Sequence, residues 1–132
     1  MRLALLDTNV LVSVGIKPGS GPARIVTAAL RGEIQLVVCP AIAAEYRAVM
    51  LYARFARDGF PPFWIEFLID SALKLPDGID WPHSLPDPDD AKFLSLAKQT
   101  GAWLVTGNLK HYPRDARDGV TILSPAEYAE TL

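Results

Sequence analysis

The chain has 132 residues, half of them hydrophobic and 21% charged, with a formal net charge of −2 at pH 7. That is enough for one compact domain and too little for two, and the balance excludes a disordered chain. No stretch approaches the 18 or so uninterrupted apolar residues of a membrane span, and the first strand starts too early for a signal peptide, so a cytoplasmic protein is expected. One cysteine, Cys39, rules out an internal disulfide, and its neighbours Val37 and Val38 suggest a buried strand position.

In chain order, Met1 to Leu6 reads as a buried strand that stops at Asp7-Thr8-Asn9, before a second apolar run, Val10 to Val12. A continuous apolar strand of this kind suits the centre of a covered parallel sheet. Asp7 then stands at the carboxyl end of a strand, where open α/β sheets bind ligands. It could equally cap a turn or short helix with Thr8 and Asn9. Gly15 to Pro22 is a turn-rich loop, Ala23 to Arg31 a helix ended by Gly32, and Ile34 to Cys39 a second strand rich in β-branched residues. Pro40 opens a helix running through Ile42, Glu45, Ala48, Val49 and Tyr52.

Pro61 and Pro62 open a helix over Phe63 to Leu75, closed by Pro76; Gly78 to Pro86 is loop; Pro88 to Thr100 is a helix ended by Gly101. Trp103 to Thr106 and Val120 to Leu123 are further strands, and Ser124-Pro125-Ala126-Glu127 starts a final short helix. Strands alternating with helices imply an α/β domain spanning residues 1–132, with a mostly parallel sheet covered on both faces.

Several acids fall at telling places. Glu45 shares its helix stripe with Ala41, Ile42, Ala48, Val49 and Tyr52, and an inward carboxylate needs a partner. A cation would serve; so would Arg47 or Arg24, or a place at the edge of the stripe. In Pro86-Asp87-Pro88-Asp89-Asp90, the acids make a good helix start, with Asp87 as N-cap. Helical phase separates them: Asp90 continues into Phe93, Leu94 and Ala97 and faces the sheet, whereas Asp89 is turned about 100° away. Asn108 ends its strand as Asn9 follows the first, and either offers metal a carbonyl oxygen or caps a turn.

Lys110, His111 and Arg114 belong to the most basic stretch, a solvated loop or a phosphate contact. Together Asp7, Glu45, Asp90 and Asn108, without matching Cys or His, make a hard oxygen-rich pocket that selects Mg²⁺ or Mn²⁺ over Zn²⁺. Phe60, Phe63, Trp64, Ile65, Phe67 and Leu68 give one helix more apolar surface than a small domain usually buries; core packing accounts for most of it, and part is a candidate dimer or partner interface.

The whole chain resembles a PIN domain, the nuclease fold of many bacterial toxin-antitoxin toxins. The carriers are LLDTNVLVS (Leu5 to Ser13), PAIAAEY (Pro40 to Tyr46), PDPDDAKFLSLA (Pro86 to Ala97), GAWLVTGN (Gly101 to Asn108) with LKHYP after it, and VTILSPAEY (Val120 to Tyr128). The resemblance implies a three-layer α/β/α fold with four to five strands, and an acidic site at Asp7, Glu45 and Asp90. The fourth family position, often Asp, is Asn108 here.

It also implies an endoribonuclease that hydrolyses single-stranded RNA with Mg²⁺ or Mn²⁺, an antitoxin partner and pairing into homodimers. Asp7 would be the central ligand, Thr8 its buttress with Asn9 and Asp89 supporting, and Lys110, His111 and Arg114 the RNA contacts. Two alternatives differ in class: a PIN-like protein that binds RNA or a partner without cutting, and an aspartyl-phosphate phosphatase. The latter needs a second Asp two residues after the first, and position 9 is Asn.

Overall fold

The computed structural model describes residues 2–14, 19–49, 63–78 and 80–132. Strand β1 (Leu3–Leu6) leads into α1 (Thr8–Val14) and α2 (Gly21–Leu30); β2 (Gln35–Val38) is followed by α3 (Pro40–Val49); α4 (Phe63–Ser71) leads into β3 (Leu73–Lys74). A 3₁₀ turn at Pro88–Asp90 runs into α5 (Ala91–Thr100), then β4 (Trp103–Val105), β5 (Ile122–Leu123) and α6 (Pro125–Ala129). The sheet is parallel throughout, in the order β3-β2-β1-β4-β5.

The central strand is the most buried because both its neighbours and both its faces are covered. Ala4 pairs with Leu36 on one side and Trp103 on the other, and Leu6 with Val105; Ala4 and Leu5 are wholly buried. Crossovers carry the chain outward from β1 to β3 with α1 to α4 between, then back to β4 with α5 lying on β1 and β4. Ile25, Ile42, Leu68, Phe93 and Leu94 fill the spaces between sheet and helices. Because the chain leaves β1 in one direction and returns to it from the other, the sheet reverses between β1 and β4. The carboxyl ends of those two strands therefore flank the crevice in which such sheets place their ligands.

The helix expected from Ala23 starts two residues earlier, at Gly21, the strand expected from Val120 starts at Ile122, and two further boundaries differ in kind. The helix expected over Phe63 to Leu75 stops at Ser71, and Leu73 and Lys74 pair with Val37 and Val38 as an edge strand. The helix end is satisfied by long-range and local side chains: Gln35 Nε2 donates to Ser71 O at 3.0 Å and Lys74 Nζ to Asp70 O at 2.9 Å. Leu75 N then donates to Val38 O, fixing the strand pairing.

The helix expected from Pro88 begins instead as the tighter 3₁₀ turn, with Asp87 Oδ1 accepting from Asp89 N at 3.0 Å. On the aromatic helix both expectations, core packing and some exposed apolar surface, are met at different residues. Trp64, Ile65 and Leu68 are inside, while Phe67 is 59% exposed; Tyr52 and Phe60 lie outside the described residues. Cys39 is buried. No helix among the described residues is long and apolar enough to cross a membrane.

Candidate functional site at the sheet switch point

Asp7 follows the last residue of β1, and its N–H still donates to Val105 O at 2.9 Å, so its backbone belongs to the β1–β4 ladder while its side chain rises from the sheet end. Thr106 does the same one strand over, donating its N–H to Leu123 O at 3.0 Å. The two meet: Thr106 Oγ1 donates to Asp7 Oδ2 at 2.9 Å, and the Tyr112 hydroxyl donates to the same oxygen at 2.9 Å. Asp7 is 5% exposed, and its carboxylate partners among the described residues are these two neutral hydroxyls. Burial and the Asp7 charge push the Tyr112 phenol far up, so it acts as a donor and not as a base.

Asn9 ties the two strand ends together. Its Oδ1 accepts from Gly107 N at 2.9 Å and its Nδ2 donates to Thr106 Oγ1 at 3.3 Å. The fit is close: a Cβ at position 107 would lie 3.3 Å from Asn9 Oδ1. Asn108 contributes its backbone N–H, which donates to Thr106 Oγ1 at 3.0 Å, and its half-buried side chain makes no cap bond to the following turn. From the helices come the remaining acids. Asp90 is buried at the end of the 3₁₀ turn, whereas Asp89 beside it is exposed.

Burial, followed by the charge of Asp7 and then of Asp87, pushes the Asp90 carboxyl up to about 6; His111, whose Nδ1 lies 2.9 Å from Asp90 Oδ2, pulls the other way. A carboxyl raised by its neighbour's charge is the mark of like charges confined together. His111 thus sits on an acid, while Lys110 and Arg114 stand exposed on the 3₁₀ turns after β4.

Glu45, on α3, has a different set of partners. The Thr8 hydroxyl donates to Glu45 Oε2, and Lys92 Nζ lies 2.8 Å from Glu45 Oε1. The arginines considered as partners from the sequence are engaged elsewhere, Arg47 with Glu66 at 2.6 Å and Arg24 with Ala129 O at 3.4 Å. Lys92 also holds Asp89 at 2.7 Å. Burial works against the Lys92 ammonium, the two carboxylates outweigh it, and its pKa stands raised, while Asp89 is held low by Lys92.

Thr106, Tyr112 and Lys92 complete the site and were not singled out from the sequence. Lys92 alone carried a local signal, three residues after Asp89 on the same helix face. A cavity of about 500 Å³ lined by Trp81, Ser95, Lys98 and Asp118 lies apart from these acids.

As a donor set, Asp7 and Asp90 suit a hard divalent cation: both are oxygen ligands, both are buried, and their mutual repulsion is what such an ion relieves. Among the described residues, however, no group of three Asp, Glu, His or Cys side chains is arranged to hold a metal ion. Glu45 is turned to Lys92 and Thr8.

A sequence model described as a PIN domain matches residues 4–110. Among solved structures, the chain is similar to the crystal structure of FitAcB from Neisseria gonorrhoeae, with a TM-score of 0.62 at 18% sequence identity, over 95% of this chain and 99% of that one. That likeness is one of fold. No curated protein matches the chain significantly.

Proposed function

The chain belongs to the PIN-domain family, and from that premise we propose that it is a Mg²⁺- or Mn²⁺-dependent endoribonuclease acting on single-stranded RNA in the cytoplasm. The observation that carries the reading is the buried pair at the sheet switch point, with Asp90 pushed up to about 6 by burial and by the charge of Asp7. Asp7 and Asp90 would hold the ion. When bound, it supplies Lewis acidity, lowering the pKa of water and neutralising charge on a phosphoryl group in hydrolysis.

The chain's own groups do the positioning. Thr106 and Tyr112 fix the Asp7 carboxylate by donating to one oxygen, leaving the other for a ligand. Asn9 locks the two strand ends to each other, so the carboxylate and the turn after β4 move as one body. Glu45, oriented by Thr8 and Lys92, stands beside the pair to direct a water. Asn108 adds a neutral amide at the rim. His111 steadies Asp90, and the exposed Lys110 and Arg114 lie where an RNA backbone entering the crevice meets positive charge.

A toxin role, with a protein antitoxin and a homodimer, belongs to the same proposal through the likeness to the toxin branch of the family. Phe67 and Leu73, 59% and 46% exposed, offer apolar surface for such contacts. The test is cleavage of a mixed-sequence single-stranded RNA with Mg²⁺, Mn²⁺ or EDTA, comparing wild type with Asp7→Asn and Asp90→Asn. Metal-dependent cutting lost in both variants supports the reading. Cutting that survives in them marks a contaminant and overturns the assignment of the site; none with either metal overturns the nuclease reading and favours an RNA- or partner-binding protein.

A further inference from the structure

Lys92 is the lysine that the described structure sets among the acids rather than on the rim. It stands at the first turn of α5, its side chain only 18% exposed. Its Nζ lies 2.8 Å from Glu45 Oε1, 2.7 Å from Asp89 Oδ2 and 2.8 Å from Asp89 O. Three acceptors match the three donors of an ammonium, so the group is saturated where it is. One positive charge thus lies between two carboxylates, one from α3 and one from the turn before α5. Asp7, by contrast, receives two neutral hydroxyls. One corner of the site thus has its charge offset in part by a resident cation, while the other keeps its full negative charge.

We propose that the Lys92 ammonium is a built-in cation of this site, filling the corner between Glu45 and Asp89 and limiting divalent metal to a single ion at Asp7 and Asp90. The inference rests on the metal-dependent reading above and sharpens it. A second dication at Glu45 would have to displace the ammonium or sit against it, and like charges at contact distance in a partly buried site repel strongly. Glu45 then acts as a positioning residue whose carboxylate is already satisfied, and Lys92 as the residue that sets metal stoichiometry.

The experiment is a count of bound Mn²⁺ on the full chain, by equilibrium dialysis and by the electron paramagnetic resonance signal of free Mn²⁺, for wild type, Lys92→Met, Lys92→Arg, Glu45→Gln and Asp7→Asn. The expected result is one ion on wild type and on Lys92→Arg, two on Lys92→Met, and none on Asp7→Asn. Glu45→Gln keeps one ion with affinity within about threefold of wild type; this arm decides the matter if Lys92→Met fails to fold. Two ions on wild type, or an ion lost in Glu45→Gln, overturns the inference. One ion on both wild type and a folded Lys92→Met overturns the Lys92 assignment and leaves the nuclease reading standing. No ion on any variant overturns both.

Discussion

The two halves of the crevice hold their acids in opposite ways. On the β1–β4 side, Asp7 is anchored by hydroxyls of Thr106 and Tyr112, which fix its direction and leave its charge in place. On the α3–α5 side, Glu45 and Asp89 share an ammonium, which fixes direction while offsetting part of their charge. Neutral donors leave an acid's charge free for an ion; a cation takes that charge up and leaves the carboxylate to orient a neutral group such as water. Asp90 lies between the two regimes, with a histidine on one oxygen and the field of Asp7 pushing its carboxyl up.

The contrast can be broken most forcefully at Asp7. Asp7→Asn should lower RNA cleavage about a thousandfold, the equivalent of about 4 kcal/mol of charge stabilisation, with little change in the far-ultraviolet circular dichroism. Removing the hydroxyls one at a time is the next test. Tyr112→Phe and Thr106→Val should each weaken Mn²⁺ binding or cleavage by roughly 10- to 100-fold, as loss of a group that orients a metal ligand does. Equal effects from Glu45→Gln on Mn²⁺ affinity would erase the distinction between the halves.

The pH response gives a smaller signature with a defined sign. The native Asp90 carboxyl binds its proton at about 6, above its ordinary value of 3.8, so between those values the folded state holds more proton than the unfolded one. Its contribution to stability therefore rises as pH falls through about 6 and is lost above it, the reverse of a salt-bridged acid. In EDTA, the stability of Asp90→Asn relative to wild type should decline from pH 7 to pH 4.5, by on the order of 1 kcal/mol in urea unfolding. With Mn²⁺ present, wild-type affinity should fall below pH 6, as protons compete for the same oxygen. The smallest effect belongs to Asp89→Asn. Its side chain is 72% exposed and Lys92 keeps Glu45, so the melting free energy should move by less than about 0.5 kcal/mol.

Much of this arrangement could be read from residue pattern, and the exceptions share a cause. β1, β2 and β4 announce themselves as apolar runs because both faces of each are covered. β3 does not, because Leu73 and Lys74 are exposed and their strand character comes from pairing with Val37 and Val38 and from Gln35 terminating the helix before them. Likewise, position at a strand end pointed to Asp7, and helical phase separated Asp90 from Asp89. The hydroxyls that hold Asp7 could not be found that way: Thr106 and Tyr112 lie 99 and 105 residues from it, and nothing local to either distinguishes a buried anchor from a strand end or a loop aromatic. The partner of Glu45 stayed open for the same reason. The sequence offered a cation, Arg47 or Arg24, or an edge position, and the fold brings α5 across with Lys92 and leaves Arg47 to Glu66.

The Tyr112 hydroxyl joins the basic turn after β4 to the acid at the end of β1. That turn is further clamped by Arg117, whose Nε donates to Tyr112 O at 2.8 Å. The segment from Thr106 to Tyr112 is thus spanned between two points on one carboxylate oxygen, and its length is fixed by that span. Variation in what the crevice prefers can enter through exchange of the outward side chains at 110 and 114, whereas an insertion or deletion before 112 would pull the phenol off Asp7. Among descendants of this chain, preference can drift by substitution while the ruler of the loop stays constant.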